Sequence, residues 1–317
     1  MAAAADNYQA RFERRWGHLR HPHVRALAWL LDAPDLLDPN DPHWDGRIAS
    51  VGALGPEVDA WLQRVDEDPS GLDAELGTRI YTRLGLYAEK LMAFYYREHG
   101  MLVAHGLQVR AARNDTIGEF DFLLEAGPDA LEHIEFATKF YLLEGEAAQR
   151  FDTFVGPNLA DSLGAKMRKI FDKQLALGSH PAAQAVLPRP VLRARALVKG
   201  WLFYPLGVRT TMDGIGLDHC SGFWCALGEV AQLEAQQFVV LPRLQWLAPY
   251  RGVDTEVVLD REALGRILSA QFEATPMPVL VASVQIVNGA VVESERGFIV
   301  PDNWRARAAF RQQLAQT

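Results

Sequence analysis

The chain has 317 residues, of which 49% are hydrophobic and 23% are charged, and this composition excludes a mainly disordered or collagen-like protein. The length suits two or three modules of about 100 to 150 residues each better than one average domain. The net charge of −8 excludes a polycation that coats nucleic acid indiscriminately, so any nucleic-acid contact must be local.

The N-terminal residues and the cysteines indicate a cytoplasmic protein. The chain does not open with a basic segment and an apolar run, and no stretch approaches the roughly 20 apolar residues that span a bilayer. We therefore expect no membrane partner. Cys220 and Cys225 are spaced too widely for a redox CxxC motif and are too few for a zinc site, which predicts two buried reduced thiols. The signature motifs of P-loop NTPases, dinucleotide-binding proteins, zinc peptidases and esterases are missing.

Residues 1–77 are predicted to form a helical cap. His23–Leu31 has apolar residues at the spacing of an amphipathic helix, and Ala33-Pro34 ends it. A loop rich in proline and aspartate follows. No residue of this segment suggests chemistry.

Residues 78–180 are predicted to run helix, three strands, helix. Thr78–Glu98 is apolar nearly all round, which predicts a buried helix. Asp161 or Ser162 is the expected cap of a second helix that reaches about Leu177. Between the helices, three short runs rich in aliphatic and aromatic residues predict strands: Leu102–Ala111, Phe120–Glu125 and His133–Leu142.

Residues 181–317 are predicted to form a β-rich C-terminal domain. One helix is expected at Asp260–Phe272, and Asn288-Gly289 is typical of a hairpin turn. The candidate strands are Val191–Tyr204, Gln237–Leu247, Val279–Val287 and Ala290–Val300. The whole sequence thus predicts a mixed α/β (α+β) fold.

Acidic residues stand where the hydrophobic pattern predicts apolar ones. Glu89 interrupts the buried helix, where an isolated carboxylate is costly unless it is paired, protonated or bound to a metal. Alternation along the second strand places Glu119 and Asp121 on one side. The same alternation places Glu135 and Lys139 on one side of the third strand. We expect the two neighbouring strands to present these groups to a common face.

Asp121 and Glu135 form the oxygen-ligand pair that a hard cation such as Mg²⁺ or Mn²⁺ prefers. Lys139 would then stand near the attacking water. The competing interpretation of Glu135 and Lys139 is a cross-strand ion pair on a solvated face. Gln174 points inward with the apolar stripe of the second helix, either as a satisfied core amide or as a site residue.

The segment from Lys139 to Lys199 is the one long basic stretch. It holds ten Lys and Arg residues against five Asp and Glu residues, a local charge of +5. Within it, Lys166, Lys169 and Lys173 flank the apolar stripe of the second helix. They predict a weak nucleic-acid contact that follows a phosphate backbone, unless they only form a solvated helix face.

The helix with Glu89, the motif Gly118-Glu119-Phe120-Asp121, the segment from Glu135 to Lys139 and the helix with Gln174 together resemble the core of the PD-(D/E)XK nuclease superfamily. The resemblance covers residues 78–178. The segments LGLYAEKL, GEFDFLL, HIEFATKFYL, GPNLADSLGAKM, KGWLFYP and RGFIVPDNW are similar to those of a bacterial family, domain-of-unknown-function family 1853, over nearly the whole length.

The superfamily resemblance implies a restriction-endonuclease-like core that performs metal-assisted phosphodiester hydrolysis. It implies a metal held by Asp121 and Glu135 with help from Glu89, with Lys139 orienting the nucleophilic water. Gln174 completes the candidate catalytic set. One departure is that the usual Glu-x-Lys motif would place the lysine at position 137, which is Ala137, whereas Lys139 lies about 7 Å further along the strand.

The first hypothesis is therefore a Mg²⁺-dependent nuclease, or nuclease-like protein, that acts on nucleic acid, with DNA as the favoured substrate. The competing hypothesis is a binding or scaffold protein that keeps the nuclease fold without cleavage. A third hypothesis, a small-molecule hydrolase that uses the same carboxylates, predicts metal binding without affinity for DNA. Metal binding should raise the melting temperature of the nuclease and leave that of the scaffold protein unchanged.

Overall fold

The structure, a computed structural model, describes residues 7–78, 80–112, 115–145 and 151–316 and has a mixed α/β fold. Its helices are α1 Tyr8–Trp16, α2 Pro22–Asp32, α3 Pro56–Glu67, α4 Ser70–Leu76, α5 Leu84–Glu98, α6 Leu163–Lys169, α7 Pro181–Gln184, α8 Arg261–Ala274 and α9 Trp304–Gln316. Its strands are β1 Leu102–Ala112, β2 Asp115–Glu125, β3 Leu131–Leu143, β4 Phe154–Val155, β5 Val191–Pro205, β6 Cys220–Ala226, β7 Gln237–Val240, β8 Arg251–Gly252, β9 Leu259–Asp260, β10 Val279–Val287 and β11 Ala290–Val300. A π-helical segment, Ile170–Gln174, continues α6.

One mixed sheet joins these strands in the order β1-β2-β3-β5-β6-β11-β10-β7-β9, with β4 beside β3 and β8 beside β11. The first three strands form an antiparallel meander, whereas β3 with β5, β5 with β6 and β6 with β11 pair in parallel. Because β3 and β5 pair directly, residues 78–180 and 181–317 share this sheet. The division of the chain into modules at 77/78 and 180/181 stays a prediction.

Helices cover both faces of the sheet. On one face, α1, α2 and α5 pack in one apolar cluster with sheet residues that include Phe122, Ile134 and Trp201. On the other face, α6 buries its apolar side against residues of β3 and β5. Helix α1 also docks on β11, where the Asn7 side chain donates a hydrogen bond to the Ser294 carbonyl at 2.7 Å. The buried helix that the apolar pattern predicts is therefore α5, in the main core.

Several predicted elements end at different residues in the structure. Helix α5 begins at Leu84 and not at Thr78. The second predicted helix begins as expected, with the Ser162 hydroxyl accepting the Ala165 N–H at 3.1 Å, but after Lys169 it becomes π-helical. Local apolar spacing does not distinguish an α-helix from one wider turn, so the pattern predicts one uninterrupted helix.

The C-terminal half also differs in detail from the pattern. The strand predicted over Gln237–Leu247 ends at Val240, because Pro242 has no N–H group with which to continue the ladder. The hairpin turn at Asn288-Gly289 is present, and both residues have the positive φ that such a turn requires, 51° and 78°. Elements of this half that the pattern does not predict include α7, β6, β8, β9 and α9.

Strand β2 leaves β3 at the point where the acidic residues begin. The two strands pair from Glu125 with Leu131 up to Phe122 with Ile134, while the rest of β2 stays paired with β1 alone. Immediately beyond this pairing, the carboxylate of Asp121 accepts the hydrogen bond of the Phe136 N–H at 2.9 Å. A polar gap therefore opens between the two strands.

Two further predictions concern the state of the cysteines and the absence of a segment that spans a bilayer. Cys220 and Cys225 are both buried and free, as the sequence predicts. Across the described ranges, no helix combines the length and the apolar character needed to cross a bilayer.

Candidate functional site

Carboxylates from three elements meet at the gap between β2 and β3. One oxygen each from Glu89 on α5 and from Glu119 and Asp121 on β2 lies within 4.8 Å of the other two. Glu135 on β3 lies close enough to Asp121 for the two carboxyl groups to interact electrostatically. The structure thus groups two of the predicted ligands, Glu89 and Asp121, with Glu119, while the third predicted ligand, Glu135, neighbours Asp121. We call these four residues the carboxylate cluster.

Glu89 reaches the carboxylate cluster from an otherwise apolar helix because two neighbours accommodate it. His105 on β1 donates a hydrogen bond from Nε2 to a carboxylate oxygen of Glu89 at 2.7 Å. Among the described residues, no heavy atom lies within 4 Å of the position that a Cβ on Gly85 would take, so the preceding helical turn leaves open space. The side chain of Glu89 is only 17% exposed, but pairing with His105 offsets the cost of its burial.

Burial and like charge act together on Asp121 and Glu135. Burial, and then the charges of Glu89 and Glu119, raise the pKa of Asp121 to about 6, against the opposing effects of the Phe136 N–H and Lys166. Burial, and then the charge of Asp121, raise the pKa of Glu135 to about 8. At neutral pH the two groups therefore share a proton, as carboxylates in one desolvated site do. The cluster holds negative charge that a cation would neutralise.

Gln174 positions Glu135 from the other side of the gap. Its amide nitrogen donates to Glu135 Oε1, and its own carbonyl oxygen accepts a hydrogen bond from the Lys166 ammonium at 3.3 Å. The π-helical segment ends at Gln174, and such wide turns occur frequently at functional sites. The structure therefore places the predicted Gln174 in the site and brings Lys166 with it.

Lys139 lies further along β3 and interacts with a different carboxylate. Burial, and then the nearby ammonium of Lys166, lower the pKa of Lys139 to about 8, while Asp161 and Glu135 act in the opposite direction. Asp161 also accepts a hydrogen bond from the Tyr141 hydroxyl at 2.9 Å. Lys139 thus borders the carboxylate cluster on the side of Asp161.

The family comparison covers all of these elements. Residues 25–300 match the family described as domain of unknown function (DUF1853). The chain belongs to this family. Comparisons with curated proteins and with solved structures found no significant match. The DUF1853 region extends from within α2 to the end of β11, so it contains the whole carboxylate cluster together with Lys139, Lys166 and Gln174.

The three lysines that the sequence of this DUF1853 protein offers for nucleic-acid contact differ in exposure. Lys166 is partly buried, and its pKa is lowered chiefly by burial, although the charges of Glu135 and Asp121 raise it. Lys169 and Lys173 are exposed on the outer side of α6 and of the π-helical segment. Only the latter two are placed as the weak nucleic-acid contact of the sequence prediction requires, whereas Lys166 belongs to the site itself.

The sequence of the DUF1853 chain does not predict the roles of three residues at the site. Glu119 was placed on the correct side of β2 but not among the ligands. Lys166 precedes Gln174 by eight residues, close to two helical turns, and this spacing puts both on one face. His105 lies on β1 opposite Phe122 and carries no local signal, because only strand pairing brings it to Glu89.

Proposed function

We propose that this protein is a divalent-metal-dependent phosphodiester hydrolase that acts on nucleic acid, with DNA as the favoured substrate. The observation that carries the proposal is the convergence of Glu89, Glu119, Asp121 and Glu135 beside an ammonium and an amide. The order of elements supports it too. Helix α5, the antiparallel meander β1–β3 and helix α6 follow one another in the order that the resemblance to the PD-(D/E)XK core implies.

The side chains present fit a hard divalent cation. Every acidic group of the cluster offers oxygen, the donor that Mg²⁺ and Mn²⁺ prefer. Burial, and then the neighbouring carboxylates, raise the pKa values of Asp121 and Glu135, and a bound cation would offset both effects. Asp121, Glu135 and Glu89 would hold the metal, with Glu119 beside them. When bound, Mg²⁺ or Mn²⁺ supplies Lewis-acid polarisation of the phosphoryl group and increases the acidity of water.

The residues around the cluster then have separate tasks. The Phe136 N–H holds Asp121, and the Gln174 amide holds Glu135, so both carboxylates are oriented before substrate binds. Lys166 acts electrostatically on both of them. In the proposed reaction its ammonium orients the attacking water and stabilises the charge that develops on the phosphoryl oxygens.

Lys139 has a second role under this proposal. Its strongest acidic neighbour is Asp161, and its lowered pKa, about 8, allows it to exchange a proton near neutral pH. Since Ala137 occupies the usual lysine position and is buried against α6, Lys166 compensates for the displacement of Lys139 along β3. Exposed Lys169 and Lys173 extend the positive surface along which a phosphate backbone lies.

The test is cleavage of labelled single-stranded, duplex and branched DNA in Mg²⁺ or Mn²⁺ by the wild type and by Asp121→Ala. Glu75→Ala serves as a matched control, because Glu75 pairs with Lys90 and Arg97 at the end of α4 and has no part in the carboxylate cluster. Cleavage by the wild type and the control, but not by Asp121→Ala, supports the proposal. Cleavage that survives in Asp121→Ala, or that is absent from the wild type on every substrate, contradicts it.

A second candidate function is that of a binding or scaffold protein that has lost cleavage. The observation that favours it is the buried Ala137 at the position where the superfamily motif has its lysine. This candidate predicts DNA binding that Mg²⁺ neither strengthens nor converts into cleavage. A metal-independent melting temperature, measured beside the cleavage assay, would support it.

A further inference from the structure

His133 on β3 is a fully buried histidine that the proposed reaction does not use. It lies two residues before Glu135, so both side chains leave the same side of the strand. Its ring packs edge-on against Phe120, with the ring centroids 4.8 Å apart. In the part of the chain that the structure describes, neither ring nitrogen has a hydrogen-bond partner. Such burial costs free energy, so a physical reason for a histidine here is required.

Glu135 supplies that reason, because it also has an unsatisfied atom. Its Oε1 accepts from Gln174, but no described group donates to its Oε2. Nε2 of His133 and Oε2 of Glu135 lie 3.8 Å apart, which is longer than a hydrogen bond. Nε2 of His133 and Oε2 of Glu135 are therefore two buried polar atoms that each lack a partner and lie close together beside the carboxylate cluster.

We infer that His133 is a positioning residue for the proposed metal site, whose Nε2–H donates to Glu135 Oε2. This inference rests on the proposed function. A relative movement of about 1 Å closes the present separation to a hydrogen bond. Gln174 and His133 then each hold one oxygen of Glu135, which fixes the direction in which the remaining lone pairs point.

The surroundings of His133 suit this role. The ring is completely buried, so bulk water does not reach its N–H group. The apolar neighbours Phe120, Leu123 and Leu131 offer nothing else to accept a hydrogen bond from it. Partners of this kind typically change metal affinity by about 10- to 100-fold when they are removed.

The experiment is calorimetric titration of Mn²⁺ into the metal-free protein and its variants. His133→Phe removes the donor and keeps a ring, and His133→Gln restores a donor near the position of Nε2. Leu131→Ala is the matched control, because Leu131 is buried on the same side of β3, two residues further from Glu135. Thermal melts of the metal-free proteins accompany each titration, and His133→Leu replaces the phenylalanine variant if that variant does not fold.

We expect His133→Phe to weaken Mn²⁺ binding by about 10- to 100-fold, with an unchanged or higher melting temperature in the absence of metal. His133→Gln should recover most of the affinity. Leu131→Ala should melt earlier and still bind Mn²⁺ as the wild type does. Wild-type affinity in His133→Phe, or an equal loss in Leu131→Ala, would overturn the inference and leave the proposed function standing. A wild type that binds no Mn²⁺ would overturn both.

Discussion

Replacing Glu135 by glutamine should stabilise the metal-free protein at alkaline pH and leave its stability unchanged at acidic pH. The folded state raises the pKa of Glu135 from 4.5 to about 8, so folding favours the protonated carboxyl. Below pH 4.5 the group is protonated in both states and contributes nothing. As the pH rises from 4.5 to 8 the unfolded state ionises first, and the folded state loses relative stability throughout this interval.

The magnitude follows from this difference and from the burial of Glu135, whose side chain is 2% exposed. At about 1.4 kcal/mol per pH unit, the ionised carboxylate costs the folded state up to about 5 kcal/mol above pH 8. Relaxation of the neighbouring Lys166 and Asp121 lowers this value, so we expect Glu135→Gln to gain about 2 to 5 kcal/mol at pH 9. The amide of the variant keeps the shape of the neutral carboxyl and still accepts the hydrogen bond from Gln174.

Urea unfolding in the presence of a chelator, at pH 5, 7 and 9, measures this effect. The matched control is Glu293→Gln, which breaks a buried ion pair, because Arg296 donates to the two oxygens of Glu293 at 2.6 and 2.7 Å. Loss of one partner of such a pair costs about 3 to 5 kcal/mol, and we expect that cost at all three pH values. If Glu135→Gln lost stability equally at all three, Glu135 would be a charged structural group and the shared proton would be wrong.

Three further predictions concern the loaded site and the substrate. Asp121→Asn should abolish the rise in melting temperature that Mn²⁺ produces, whereas Asp254→Asn, a change of an exposed loop residue, should retain it. A rise that persists in Asp121→Asn would exclude this carboxylate as a ligand. Lys166→Met should lower kcat by about 10²- to 10³-fold and Lys139→Met by less, and the reverse order in single-turnover cleavage would return the principal role to Lys139. Finally, DNA affinity should fall as the salt concentration rises, and Lys169→Ala should reduce the slope of log K against log salt by about 0.9. Fluorescence anisotropy over a salt series measures that slope. An affinity that does not change with salt would mean that no phosphate contacts the basic surface.

Elements formed by interactions between residues close in sequence could be predicted, whereas elements formed by contacts between distant residues could not. The hairpin at Asn288-Gly289 and the cap at Ser162 are local, so their residues alone indicate them. The π-helical segment and the divergence of β2 from β3 depend on what packs against them. Parallel pairing of β3 with β5 joins segments about 60 residues apart, as with Glu135 and Ala196, and leaves no mark on the local pattern.

The site shows the same distinction. Asp121 and Glu135 could be predicted to meet, because strand alternation fixes the side on which each side chain lies. His105 could not be predicted, because it meets Glu89 only through the packing of β1 under α5. The role of Lys166 depends on the exact register of α6 against β3, which the spacing to Gln174 suggests and only the folded chain establishes.

The docking of α1 on β11 has a consequence for synthesis of the chain. Asn7 and its hydrogen-bond acceptor on Ser294 are 287 positions apart in sequence. At the usual pace of translation, about 5 to 20 residues per second, the partner strand emerges from the ribosome roughly 15 to 60 s after the helix. During that interval α1, whose Phe12 and Trp16 are buried in the folded protein, has no strand β11 to dock on and is a ready target for chaperones. The local meander β1–β3, by contrast, can pair early, so the strands of the carboxylate cluster assemble before α1 docks on β11.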